Sequence, residues 1–328
     1  MILGLEVYWV KSVKVFIWTG IKRYFSVLKT LNPDIIIQRN SSPVLFASGW
    51  YKKRYQVKFI WICTDNLAPY KTFFLQKFKK KSSIKSMGFL KYIVFYLNNR
   101  FNDVLRNLAM KSVDVGFSQN TFQKDKIKEN FGLDTFNMIS GHPLPSNQIS
   151  ILKRFNNQKI LWCANLGQHK RPEIFIKLAT KMINSNYQFV MIGGHGDHSY
   201  VNKLFKGLPS NLEIKGHLSF DEALSYFDGT TILVNTSVSE GFSNTYIQSW
   251  LRGVPTLVFG ADPNNVITYN NLGFCVDSVK EATKKISCLL SDEKLYSNMS
   301  LNVTEYSKNN HTINIMTDHF LNVLNKNL

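Results

Sequence analysis

The sequence predicts an α/β protein made of two consecutive doubly wound domains with parallel sheets. Three observations predict it. Short unbroken apolar runs recur along the chain, separated by stretches long enough for a helix, which is the pattern of strands covered on both faces. The length of 328 residues suits two domains, and 44% hydrophobic residues with 13% aromatics can fill two cores. One dense turn cluster, Gly141-His-Pro-Leu-Pro-Ser-Asn-Gln, divides the runs into two sets. This composition excludes a disordered chain, and 18 Gly with 9 Pro exclude a collagenous or low-complexity array.

In order along the first half, strands are predicted at Asp34-Ile-Ile-Ile, Val57-Lys-Phe-Ile-Trp-Ile-Cys, Val113-Asp-Val-Gly-Phe-Ser and Phe136-Asn-Met-Ile-Ser. In the second half they are predicted at Lys159-Ile-Leu-Trp-Cys-Ala, Gln188-Phe-Val-Met-Ile-Gly-Gly, Leu212-Glu-Ile-Lys-Gly, Thr231-Ile-Leu-Val-Asn and Pro255-Thr-Leu-Val-Phe-Gly. From Thr312 to Asn325, Ile313, Met316, Phe320, Val323 and Leu324 recur at helical spacing. The domains are therefore set at 1–145 and 146–310, with 311–328 a C-terminal helix packing back toward the first domain.

The charge is uneven. Residues 1–150 hold 23 Lys and Arg against 8 Asp and Glu, whereas 151–328 hold 17 against 14. The basic half attracts polyanions, either nucleic acid or an anionic leaflet. Cys63, Cys163, Cys275 and Cys288 are far apart and form no CxxC pair, which favours reduced thiols in a cytosolic protein. No signal peptide pattern opens the chain, and no apolar run approaches the ~18 residues of a spanning helix.

The most informative segment runs from Asn235 to Val258. A strand enters the polar loop Thr236-Ser-Val-Ser-Glu-Gly-Phe-Ser, and a helix follows whose first turn holds Ser243, Asn244 and Thr245. Gly253 ends that helix and Pro255 opens the next strand. Free amides and the positive helix end at such a junction suit a phosphate. Glu240 would repel a bare phosphate but can grip nearby hydroxyls, so the pair suits a sugar joined to a diphosphate. The competing reading is a plain turn with Glu240 supporting the helix start.

Glu240-Gly-Phe-Ser-Asn-Thr-Tyr-Ile-Gln-Ser-Trp, followed by Arg252-Gly-Val-Pro, resembles the donor-site signature of glycosyltransferase family 4, retaining enzymes of the GT-B fold. The resemblance implies two Rossmann-like domains with parallel sheets facing a cleft. It implies a nucleotide-diphosphate sugar, UDP- or GDP-linked, as co-substrate. Of the two acids that grip the donor in that family, Glu240 matches the first and Gln248 stands at the second, where it brings hydrogen bonds without charge. The donor pyrophosphate is implied over the amides of Ser243, Asn244 and Thr245, beside Gly241 and Phe242. Ala164-Asn-Leu-Gly-Gln-His-Lys-Arg resembles the family loop whose Arg and Lys meet the donor phosphates. Lys170 matches the Lys and Asn165 replaces the Arg, so Arg171 or His169 is the expected compensation. Gly216-His-Leu-Ser-Phe-Asp-Glu resembles the segment that passes the nucleobase, which nominates His217, although a surface histidine reads equally well.

On the acceptor side, Ile37-Gln-Arg-Asn-Ser-Ser and Trp61-Ile-Cys-Thr-Asp-Asn follow strands and are expected to line the cleft. Asp65, the only acid between Asp34 and Asp103, either orients an acceptor hydroxyl or caps the nearby helix. Met1-Ile-Leu-Gly-Leu-Glu-Val-Tyr resembles the family's third strand, so the usual first strand and Gly-rich loop are expected to be missing. Residues 51–100 carry 12 basic residues and one acid, with Lys77-Phe-Lys-Lys-Lys followed by Phe89, Tyr92, Phe95 and Tyr96. That suits docking on an anionic leaflet at ~1 kcal/mol per lysine, or else a solvated run beside a core helix.

These readings converge on a retaining hexosyltransferase needing no metal, since neither Asp-x-Asp nor a histidine cluster is present. Its acceptor is expected to be a glycan or lipid-linked glycan of bacterial surface polysaccharide assembly, such as O-antigen, capsule or exopolysaccharide. Its place is expected to be cytoplasmic and peripheral on the inner face of the plasma membrane. The alternatives are a nucleotide-sugar epimerase, a truncated inactive transferase, and a nucleic-acid binder driven by the basic half. The last lacks a recognition motif and leaves the Glu240 loop unexplained.

Overall fold

The structure is a computed structural model and describes residues 17–39, 41–79, 88–146, 149–194, 196 and 198–328. The opening stretch from Met1, Asn40, Asn147, Gln148 and the lysines of the 80–85 run lie outside the described residues. The chain divides into two compact units, Met1–Met138 with Leu321–Leu328, and Ile139–Phe320.

The first unit runs α1 (Ile17–Leu31), β1 (Ile35–Arg39), α2 (Leu45–Arg54), β2 (Lys58–Ile62), α3 (Phe73–Lys79), α4 (Phe89–Met110), β3 (Val115–Ser118), α5 (Thr121–Phe131) and β4 (Thr135–Asn137). Its strands pair in parallel in the order β1-β2-β3-β4. The buried runs of β2 and β3 enclose Phe59, Trp61, Cys63 and Ile127 with Tyr51 and Phe73. α5 shows how sequence sets an element's limits: Asn120 accepts the Gln123 amide at 2.8 Å at its start, and Gly132, at φ 66°, ends it in the left-handed region.

The second unit runs α6 (Ile151–Asn157), β5 (Lys159–Cys163), α7 (Pro172–Lys181), β6 (Gln188–Ile192), α8 (His198–Leu204), β7 (Leu212–Gly216), α9 (Phe220–Asp228), β8 (Ile232–Asn235), α10 (Asn244–Trp250), β9 (Thr256–Val258), α11 (Val266–Tyr269), β10 (Gly273–Cys275), α12 (Val279–Ser291), α13 (Glu293–Asn310) and α14 (Ile313–Asn327), whose last turns belong to the first unit. Its six strands are parallel in the order β10-β9-β8-β5-β6-β7. The chain thus builds outward from β5 through β6 and β7, then returns to β5's other side for β8. Strand side chains alternate between two cores: Ile160 and Trp162 of β5 meet Phe175 and Phe189 on one face, while Leu161 meets Trp250 and Phe227 on the other.

Both units are Rossmann-like parallel sheets, as the apolar runs predict. β10 is an addition the sequence reading lacks: its Gly273-Phe-Cys is only half-buried and no long apolar run surrounds it. All four cysteines are free, and burial pushes the Cys63 thiol up to about 12 and that of Cys163 up to about 11. Among the described residues no helix is long and apolar enough to cross a membrane.

Candidate functional site

A parallel sheet binds ligands where its strand order reverses, because the loops leaving neighbouring strands there diverge and open a crevice. In the second unit that point lies between β5 and β8. The two loops leaving it, 164–171 and 236–243, hold most of the donor-side residues named from the sequence, while Asn244, Thr245 and Gln248 follow on α10 and His217 lies after β7.

Their contacts start in the backbone. Asn235 at the end of β8 accepts the Ser237 amide at 2.8 Å, which turns the chain out of the strand. The Val238 amide donates to the His169 carbonyl at 2.9 Å, and the Thr236 hydroxyl donates to the Lys170 carbonyl at 2.6 Å. Trp162 Nε1 donates to that hydroxyl from the core at 2.9 Å. Gly193 lets the end of β6 close on the first loop: a Cβ there would lie 2.3 Å from the Ala164 carbonyl oxygen.

On this frame Lys170 Nζ donates to Glu240 Oε1 at 2.6 Å. The same oxygen accepts from Ser237 Oγ at 2.6 Å and Asn235 Nδ2 at 3.3 Å. The side chains of Lys170 and Glu240 are 20% and 12% exposed, so the pair is held by packing yet open to a ligand. A cation and a carboxylate thus stand side by side at the carboxyl edge, before an N-terminal turn that offers amides. Chemically, one arm suits a diphosphate and the other suits hydroxyls.

Other nominated residues fall around this pair in different roles. Arg171 takes left-handed backbone, φ 48°, ahead of Pro172, and its guanidinium turns inward. Nε donates to the Thr236 carbonyl at 2.6 Å, and Nη2 to the carbonyls of Ser237 at 3.1 Å and Phe259 at 2.7 Å. The sequence points Arg171 at donor phosphates, whereas the structure makes it a brace across the ends of β8 and β9. Asn165 is exposed on the first loop, and Ser243 Oγ lies 2.9 Å from Thr245 Oγ1 at the start of α10, with Asn244 exposed between them. Gln248 is buried one turn on, at 8% exposure. His217 is exposed after β7 and packs beside Gly194, while Ser219 and Glu222 close a capping box on α9.

Sequence reasoning missed Asn235 and Ser237, which hold Glu240, and two histidines behind the loop. Gly241 and Phe242 form the turn into α10, and the Phe242 ring lies 5.1 Å from His311 and 6.1 Å from Trp250. The His311 ring is hydrogen-bonded through Nδ1 to the Ser140 carbonyl at 2.9 Å. His142 is hydrogen-bonded to Asn244, the first residue of α10, and its amide donates to the His311 carbonyl at 2.9 Å. The turn cluster at Gly141 concealed His142 as a linker residue.

Burial lowers both histidines below the ordinary range; beside His142 stands Arg252, and beside His311 stands His142. Folded, they remain neutral where the unfolded chain takes up protons near pH 6.5. The stability they contribute is complete above that pH and falls as pH drops below it. The thermal midpoint is therefore expected to fall between pH 7 and 5.5, and less steeply in the His142→Asn, His311→Phe double variant. An unchanged slope in that variant would remove both residues from the account.

In the first unit, Asp65 Oδ1 accepts the Leu67 amide at 2.8 Å and Oδ2 pairs with Lys77 at 2.7 Å. These contacts hold the turn that follows β2, ahead of α3, so Asp65 caps no helix there, and an acceptor role would add to them. Gln38 is buried and accepts from Ser48 at 2.8 Å. Among the described residues no three His, Cys, Asp or Glu side chains are grouped so as to hold a metal ion.

Residues 157–292 match the family model of glycosyl transferases group 1. The whole chain superposes on solved GT-B enzymes. HepE of Anabaena, solved with UDP and glucose, is 14% identical at a TM-score of 0.72, covering 98% of this chain and 85% of that one. A glycosyltransferase of Rickettsia africae is 16% identical at 0.67, covering 97% and 83%. Sucrose-phosphate synthase of Thermosynechococcus elongatus is 11% identical at 0.70, covering 96% and 80%. No curated protein matches the chain by sequence. The fold is GT-B, and the match of residues 157–292 to the glycosyl transferases group 1 model agrees with the glycosyltransferase class that the Glu240 motif indicates.

Proposed function

We propose that this protein moves a sugar, with retention of configuration, from a nucleotide-diphosphate donor to a glycan or lipid-linked glycan of bacterial surface polysaccharide assembly. The observation that carries the reading is the Lys170–Glu240 pair, 2.6 Å apart at the switch point of the second sheet. Lys170 and the amides of Ser243, Asn244 and Thr245 neutralise the departing diphosphate, work done by fixed dipoles and charge with no metal. Glu240, held by Ser237 and Asn235, orients the sugar hydroxyls. The acceptor attacks the face the leaving group vacates, and the leaving phosphate takes its proton, so no protein nucleophile is required. That HepE was solved with UDP and glucose supports a UDP-linked donor.

The test is calorimetric titration of the full chain with UDP, GDP and their sugar conjugates in EDTA. Saturable binding of one nucleotide sugar is expected, with its transfer to an acceptor detected as product of the donor's own anomeric configuration. Absence of binding to all of them, or binding that EDTA abolishes, would overturn the proposal or its metal-free form.

A further inference from the structure

α4 is amphipathic the wrong way round for a helix of a globular domain. Its buried face carries Asn102, Asp103 and Arg106 beside Leu105, Ala109 and Met110. Asp103 accepts the amides of Phe74 at 2.8 Å and Leu75 at 3.2 Å, while Arg106 donates to the carbonyls of Tyr70 and Ala68 and lies over the rings of Phe73 and Phe131. These contacts fasten α4 and fix which side faces out.

The outward side is apolar. Leu90, Val94, Leu97, Phe101, Val104 and Leu108 follow one another at alternating steps of four and three, which keeps them in one line about 27 Å long. Exposure runs from 78% at Leu90 to 41% at Leu108. Tyr92 and Phe95, which the sequence placed with Phe89 and Tyr96 beside the basic run, lie near Phe78 at 5.6 and 6.2 Å, off this line. An exposed stripe this long marks a surface that something covers.

Charge decides what covers it. Lys91 and Arg100 flank the stripe on opposite sides, each about a quarter turn away, and both are exposed. The helix's single acid, Asp103, is spent on the buried side, and residues 51–100 hold 12 basic residues to one acid. Two copies joined along this face would set basic surfaces together with no exposed acid on the helix to pair them. We propose that α4 docks on an anionic lipid leaflet, its stripe at the acyl boundary and Lys91 and Arg100 among the headgroups. This deepens the transferase reading by bringing the enzyme to lipid-linked acceptors, and its test uses neither donor nor acceptor.

The full chain is sedimented with vesicles of phosphatidylcholine alone or with about one third phosphatidylglycerol, and its mass in solution is measured by light scattering. Wild type is expected to be monomeric and to bind the anionic vesicles at least about tenfold better than the neutral ones. The Leu90→Glu, Val94→Glu, Leu97→Glu variant, altered only at exposed positions, is expected to lose about tenfold or more with an unchanged thermal midpoint and unchanged calorimetric response to nucleotide sugars. Lys91→Gln with Arg100→Gln is expected to narrow the anionic preference. Wild type that ignores vesicles, a triple variant that binds like wild type, or a wild-type dimer that the triple variant dissociates would overturn the proposal, the last assigning the face to a second copy.

Discussion

Replacing Lys170 by Met is expected to lower turnover by about 10²–10³-fold and to lower the thermal midpoint as well, because Glu240 loses its partner in a mostly buried site. The loss is electrostatic. Without the ammonium, the departing diphosphate keeps only amide partners, and Glu240 presents an uncompensated carboxylate to it from a site where its side chain is 12% exposed. Arg in place of Lys is not expected to restore the rate, because a planar fork does not fit where a point charge meets one oxygen. Glu240→Ala is expected to fall as far in kcat/KM, through lost orientation of the sugar, with Lys170 left free to hold nucleotide. The check is steady-state transfer against donor concentration, together with thermal unfolding of each variant. A Lys170→Met enzyme within a few-fold of wild type would place the chemistry elsewhere.

Arg171→Met is expected to cost about 3 kcal/mol of stability, the larger structural effect. Three carbonyls at the ends of β8 and β9 lose their donor together, and the loop bearing Glu240 loses its brace. Backbone strain separates two parts of this effect. At φ 48° a glycine is relaxed and an alanine is not, so Arg171→Gly is expected to be the more stable of those two variants by about 1 kcal/mol. Urea unfolding of the three variants measures both differences. A cost below about 1 kcal/mol for Arg171→Met would mean that water satisfies those carbonyls equally well.

The apolar runs at 35–37 and 160–164 announce parallel strands, and even β4 and β9, three residues each, were legible from the runs around them. β10 has only Gly273-Phe-Cys and takes its place from β9 beside it, a contact that no local pattern encodes. In the site, Glu240 and Lys170 stood out in the sequence because they follow strands at family spacing, and the structure brings the two side chains together. Arg171 was misdirected because chemistry alone cannot tell a cation facing a ligand from one facing carbonyls. What separates them is the set of three carbonyls within reach of the guanidinium, which only the fold brings together. His142 and His311 lie 169 positions apart in the sequence and meet only through the pairing of His142 with Thr312. On α4 the periodicity was visible but its orientation was not, since that depends on Asp103 finding the amides of Phe74 and Leu75.

The strand order also bears on how the chain is made. β5 is paired on one side by β6, but its other neighbour, β8, begins only at Ile232. Lys170 therefore leaves the ribosome 70 residues before Glu240, roughly several seconds at ordinary elongation rates. Through that interval Ile160 and Leu161 present an open strand edge in the middle of the future sheet, the kind of edge that recruits other chains. Nascent chains halted between β7 and β8 carry this edge uncovered, so the same return to β5 that creates the donor crevice sets the period in which synthesis is most exposed to aggregation.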